Sequence, residues 1–214
     1  KEIVAISQGE GRNVTGGHFD GLDYTFRMEA LPFGEFQSKG DYTGGDLKRE
    51  PSPKLAIGLS YDMNDNAVRE RGQKGSFIQD DLGQYYGKKL ESFFADMMFK
   101  YKGFSVMLEY ADRQTADGKP AVLNANDEVI GTFYTGSAIN VQAAYLLKSN
   151  WEIGARMTSV TPDVDVANKE NEYTFGLSKY IIGHKLKVQT DFTYKDIDRS
   201  DNKFVWRMQM DVHF

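Results

Sequence analysis

Nine basic side chains, Arg27, Lys54, Lys100, Lys148, Arg156, Lys185, Lys187, Lys203 and Arg207, recur at positions that alternate with apolar neighbours. Carboxylates share that parity at Asp23, Glu29, Asp62, Asp96, Glu109, Glu152, Glu172, Asp191 and Asp211. A face built this way could guide ions or small hydrophilic solutes, because rings of one charge select the opposite one. The two signs are about equal here. The spacing therefore predicts a wetted wall whose charges pair across strands, with Arg27, Lys54, Lys100, Arg156, Lys187 and Arg207 lining any solute path. The densest basic cluster is Arg69, Arg71 and Lys74, in RERGQKG, on a long connection. Folded inward it would form an anion entrance; left outside it is a solvated loop or a contact for lipopolysaccharide.

Other chemistries find few residues to carry them. His18, His184 and His213 fall near a loop, a tight turn and the last strand, so no Ser-His-acid set assembles and no catalysis is expected. A barrel hydrolase would be the enzyme alternative. The chain has no Cys, which removes disulfides, thiolate metal sites and a cysteine nucleophile. The run Asp196 to Ser200 opens like a calcium loop, but Asp201 replaces the required Gly and Arg207 the bidentate Glu. Asp163 and Asp165, beside Pro162, read as a turn. Asn13-Val14-Thr15 has the form of a glycosylation acceptor and little else to support it. No metal and no cofactor is expected. A net charge of -5 gives no electrostatic footprint for nucleic acid.

The elements that would hold these residues show themselves by period. Phe204, Trp206, Met208, Met210, Val212 and Phe214 share one parity, against Val205, Arg207, Gln209, Asp211 and His213. Such alternation is a strand with one apolar and one polar face. It recurs at 22–31, 54–62, 91–101, 104–110, 138–148, 151–159, 172–180 and 185–194, and less clearly at 1–7. About ten strands of roughly 9 to 11 residues result, the length that a tilted strand needs to cross a hydrocarbon layer. No apolar run approaches the roughly 20 residues of a membrane helix.

The connections are asymmetric. Lys102-Gly103, Ser149-Asn150 and Ile182-Gly183-His184 are tight turns, alternating with long polar stretches at 63–90, 112–137, 160–171 and 195–202. Short turns at one end and long loops at the other are the habit of outer-membrane barrels. The stretch from Phe33 to Pro53 breaks the rule, since parity places it with the short turns although it is long and rich in Pro and Gly. Tyr101, Phe104, Trp151, Tyr180, Trp206 and Phe214 lie near strand ends, where aromatic girdles would sit at the headgroup level. A soluble sandwich or lipocalin-like barrel would also alternate, but it accounts for neither the loop asymmetry nor so aromatic an apolar set.

GLDYTFRMEALPF at 21–33, KLAIGLSYD at 54–62, ESFFADMMFKYKGFSVMLEYADR at 91–113, EYTFGLSKYIIGHKLKVQTDFTY at 172–194 and FVWRMQMDVHF at 204–214 resemble the phosphate-selective porin O and P family of outer-membrane porins. The resemblance covers most strand regions and few loops. It implies an all-β fold, an antiparallel transmembrane β-barrel of about sixteen strands, of which this chain would be the C-terminal portion, a single domain over 1–214 lacking N-terminal strands and the constriction loop. It further implies a homotrimer in the outer membrane of a Gram-negative bacterium, in contact with lipid and lipopolysaccharide, with the strand ending in Phe214 read by the barrel-assembly machinery. The expected function is passive diffusion of small hydrophilic solutes or ions; phosphate is the family's solute, and the balanced charges here do not single it out. A non-conducting barrel serving as a structural or partner-binding subunit is the competing expectation.

Overall fold

The computed structural model describes residues 1–11, 21–163 and 167–213; Phe214, His18, Asn13 to Thr15 and Asp165 lie outside the described residues. The chain is almost entirely antiparallel β. The strands are β1 (Glu2–Gln8), β2 (Leu22–Ala30), β3 (Lys54–Ala67), β4 (Lys88–Tyr101), β5 (Phe104–Thr115), β6 (Ala121–Leu123), β7 (Val129–Thr132), β8 (Gly136–Leu146), β9 (Trp151–Pro162), β10 (Glu170–Ile182), β11 (Leu186–Ile197) and β12 (Lys203–Val212). Ten of them form one sheet in the order β1-β2-β3-β4-β5-β8-β9-β10-β11-β12, and β6 pairs only with β7. Each long strand hydrogen-bonds to its chain neighbours, as hairpin connections dictate. The sheet is not closed into a barrel, because this pairing leaves β1 and β12 at opposite edges with one neighbour each.

Period 2 decides what each face carries. On β2, Tyr24, Phe26 and Met28 are exposed while Asp23 is buried and Thr25, Arg27 and Glu29 are half-buried. On β9, Trp151, Ile153 and Met157 are exposed against buried Glu152 and half-buried Gly154 and Arg156. At the β12 edge Trp206 and Met208 are 64% and 69% exposed. One face of the sheet is therefore a continuous apolar surface. Ring pairs run across it, with Tyr173 to Tyr194 at 6.5 Å, Phe192 to Trp206 at 6.4 Å and Tyr194 to Phe204 at 5.0 Å between centroids. On the opposite side β4 is the exception, where Phe94 and Met98 interrupt the polar set.

Turn chemistry fixes the ends. Lys102 and Gly103, at φ 48° and 90°, both adopt the left-handed region that a two-residue hairpin turn requires. The turns after β4, β8 and β10 are short, and the 31–53 connection between β2 and β3 shares their end of the sheet. The connections 68–87 and 116–135 lie at the other end. There Ala67, Ile78, Leu90, Val122 and Phe133 make a dry cluster, flanked by Tyr86 and Ile130. This cluster joins the ends of β3 and β4, through Ala67 and Leu90, to the long connections that carry the other three. No helix among the described residues is long and apolar enough to cross a membrane, which says nothing of crossing by strands.

Candidate functional site

The polar face of the sheet gathers most of the expected residues, and neighbouring strands settle their charges. Arg27 bonds Glu29 at 2.9 Å, Asp96 at 2.8 Å and the Ser60 hydroxyl at 3.0 Å. Its guanidinium reaches β4 by crossing β3 at Gly58, where a Cβ would overlap both Arg27 Nη2 and Asp96 Oδ2. Lys187 pairs with Asp211 at 2.9 Å, and Arg207 with Asp191 at 2.7 Å. Lys54 donates to the Phe33 carbonyl at 3.0 Å. Lys148 and Lys185 sit in turns, off the face. Lys203 is exposed at the start of β12.

Lys100 departs from the picture of a wetted wall residue. It is 2% exposed, and its Nζ donates to the carbonyls of Gly40 at 2.6 Å, Thr43 at 2.7 Å and Gly45 at 3.2 Å. These acceptors belong to the 31–53 connection, which folds over the polar face as a strap and carries a 3-10 helix at Gln37–Tyr42. Asp46 accepts the Gly103 amide at 2.7 Å and the Glu50 amide at 3.0 Å. Glu50 Oε1 accepts the Gln37 amide at 2.6 Å. Arg49 reaches the Leu147 carbonyl at 2.7 Å and Asn150 at 2.9 Å. The strap thus ties together the turns after β4 and β8. Gly45 lies against Glu152 and Tyr180, where a Cβ would overlap Glu152 Oε2.

Tyr180 corrects its expected placement in an interfacial girdle. It is 4% exposed on the polar face, and its hydroxyl donates to Glu152 at 2.9 Å. Its ring meets His184 edge-on at 5.6 Å. Burial there pushes the imidazole below its ordinary value, and the Lys187 and Lys100 charges push the same way. Of the other aromatics, Tyr101, Phe104 and Trp151 stay at strand ends on the apolar side, Trp206 lies within β12 opposite Phe192, and Phe214 is outside the described residues. Phe104 and Trp151 are exposed, Trp151 beneath the Lys179 ammonium at 5.2 Å, and Tyr101 is half-buried under Lys102 at 4.9 Å.

At the long-loop end the basic cluster divides. Arg69 turns into its own loop, donating to the Gly75 carbonyl at 3.0 Å and covering the Phe77 ring at 4.7 Å. Arg71 stacks on Tyr134 at 4.4 Å. Arg71 and Lys74 border a hollow of about 660 Å3 on the polar face, with Asp23, Asp62 and Arg113. Gln73 crosses it to bond Asp23. A second hollow, about 510 Å3, lies under Tyr42 beside Arg27 and Glu109, and a third, about 210 Å3, surrounds Arg156.

Several members of the face were not anticipated. Arg113 donates to Ser92 at 2.9 Å, and Lys195 bonds Glu170 at 2.9 Å and also Glu172. Both continue the parity of strands that run further than 104–110 and 185–194, so a longer alternation count would have found them. Asp46 and Glu50 carried no such signal beyond the misfit length of their connection. Among the described residues no group of three or more His, Asp or Glu could hold a metal ion. The arrangement can order water and solutes along a charged, uneven wall. No family model matches the chain, and neither a curated protein nor a solved structure matches it.

Proposed function

We propose that the chain is part of an outer-membrane porin, a β-barrel that passes small hydrophilic solutes or ions by passive diffusion. The observation that carries this reading is the inverted distribution of side chains. Bulky apolar groups stand exposed on one face, while charges and amides are half-buried and paired on the other. A sheet in water would hide the first set; a sheet in lipid presents it to acyl chains. The free edges of β1 and β12 fit the same reading, because unpaired backbone groups in hydrocarbon cost several kcal/mol each and demand closure of the sheet. The resemblance of the strand sequences to phosphate-selective porins adds a homotrimeric assembly and contact with lipopolysaccharide to the proposal. The three hollows along the polar face are the segments of its solute path.

Reconstitution tests it directly. Purified protein in planar bilayers should give stepwise conductance, and loaded liposomes should leak small polar solutes. Strap contacts that fill the polar face near Gly45 favour one competing reading, a non-conducting barrel that serves a partner. Silent bilayers together with a stoichiometric protein copurifying from the membrane would establish that reading and remove the porin.

A further inference from the structure

Arg156 stands apart from the other arginines on the polar face. Arg27 and Arg207 are each locked to carboxylates, and Arg113 is bonded to Ser92 and the Arg71 carbonyl. Arg156 makes no ion pair or hydrogen bond among the described residues, and its Nε is buried without a partner. The acids near it are already engaged: Glu172 by Lys195, Asp191 by Arg207 and Glu152 by Tyr180. The second Glu152 oxygen is buried without a partner against Gly45 of the strap. The Arg156 guanidinium therefore lines the hollow with no carboxylate of its own, because each acid within reach is held by another partner.

The walls fit a ligand of particular chemistry. Gly154 and Gly176 face each other in register, and a Cβ on either would meet only ordinary contacts, so their absence leaves open floor. Gln142, Ser178 and Gln189 add amides and a hydroxyl. The hollow of about 210 Å3 has room for one sugar ring. We infer that it is a binding subsite for a polyhydroxylated solute bearing one carboxylate, a sugar acid, with Arg156 holding the acid and the amides holding hydroxyls. This specifies the solute class for the porin reading, and rests on it for physiological meaning.

Isothermal titration of the whole chain in detergent micelles tests the subsite, with glucuronate, glucose and inorganic phosphate as probes. Glucuronate should bind more tightly than either of the others. Arg156→Gln should weaken glucuronate about tenfold or more, as loss of a charge-assisted hydrogen bond does, and leave glucose unchanged. Lys203→Gln, at the exposed start of β12 and outside the hollow, should change neither. If Arg156→Gln fails to fold, Gln142→Leu serves, and should weaken glucose and glucuronate alike. Equal binding of phosphate and glucuronate, or glucuronate binding indifferent to both variants, overturns the inference. Bilayer conductance of the same preparation separates the two proposals. Conductance without saturable glucuronate binding removes the subsite and keeps the channel; glucuronate binding in a silent protein keeps the subsite and removes the channel.

Discussion

The two ends of the polar face are covered in opposite ways. At the short-turn end the strap is fastened by directional polar bonds, a buried ammonium to three carbonyls and two buried carboxylates to amides, with Phe36 its one buried apolar side chain. At the long-loop end the connections 68–87 and 116–135 close around Ile78, Val122 and Phe133, and the Tyr134 amide bonds the Glu70 carbonyl at 2.8 Å. Apolar packing is non-directional and cooperative. Polar fastening depends on each partner in place, because an orphaned buried group keeps its full desolvation cost. The long-loop end should therefore behave as a packed unit, and the strap as a set of separable ties.

The largest break in that contrast is Phe133→Ala. A fully buried ring lost from a small cluster costs about 3 to 5 kcal/mol. Hydrogen exchange should rise together across 68–87 and 116–135 and stay unchanged over 31–53. Exchange rising at Phe133's immediate neighbours alone would show that the cluster is not a unit.

Lys100→Met comes next, at about 3 kcal/mol, since it strands the buried carbonyls of Gly40, Thr43 and Gly45 that the ammonium holds. Protease cleavage within 37–50 should accelerate while the long loops stay protected. An unchanged cleavage rate would show that Asp46 and Arg49 hold the strap without the amine.

How far these two ends were legible in the sequence follows from the same contrast. Alternation is local, and it placed Arg27, Lys100, Arg156, Lys187 and Arg207 on the polar side of their strands, together with the tight turns. Burial of Lys100 was not legible, because its acceptors lie some 55 to 60 residues away on a connection without period. Nearness to a strand end is what suggests a girdle position for Tyr180. Its parity, shared with Gly176 and Ser178, already pointed to the polar face. Ile78 and Phe133 are isolated among polar loop residues, and only the folded connections bring them together. The isolation of Arg156 depends on what each neighbouring acid already bonds, which no spacing encodes.

A smaller effect is expected from Tyr180→Phe. It removes the hydroxyl that Glu152 accepts beneath Gly45 and leaves both carboxylate oxygens without a donor, at about 1 to 2 kcal/mol. The urea midpoint of strap release, read by cleavage within 37–50, should fall accordingly. No shift would mean that water replaces the hydroxyl and that this tie adds nothing to the Lys100 cage.

The smallest effect is a separation in pH. His184 borders the strap beside Gly40, Asp46 and Glu50, and its imidazole is held below the ordinary 6.5 by burial and then by Lys187 and Lys100. A base depressed in the folded state stabilises fully above its unfolded value and loses that contribution as pH falls through the folded one. Asp117, between the long loops and Lys88, feels burial pulling it up, but the Lys88 ammonium and the Lys119 amide outweigh this and hold it at about 2. Its contribution is present above about 3.8 and fades only as pH falls toward about 2. Acidification should loosen the strap first. The chain has no Cys, so single spin labels at Lys48→Cys and Val129→Cys report each end alone. The Lys48 label should gain mobility below pH 6.5, and the Val129 label only below pH 3.8. His184→Gln should abolish the first step and leave the second. If both labels respond at one pH, the two ends are a single cooperative unit, and the distinction between tied and packed covers fails.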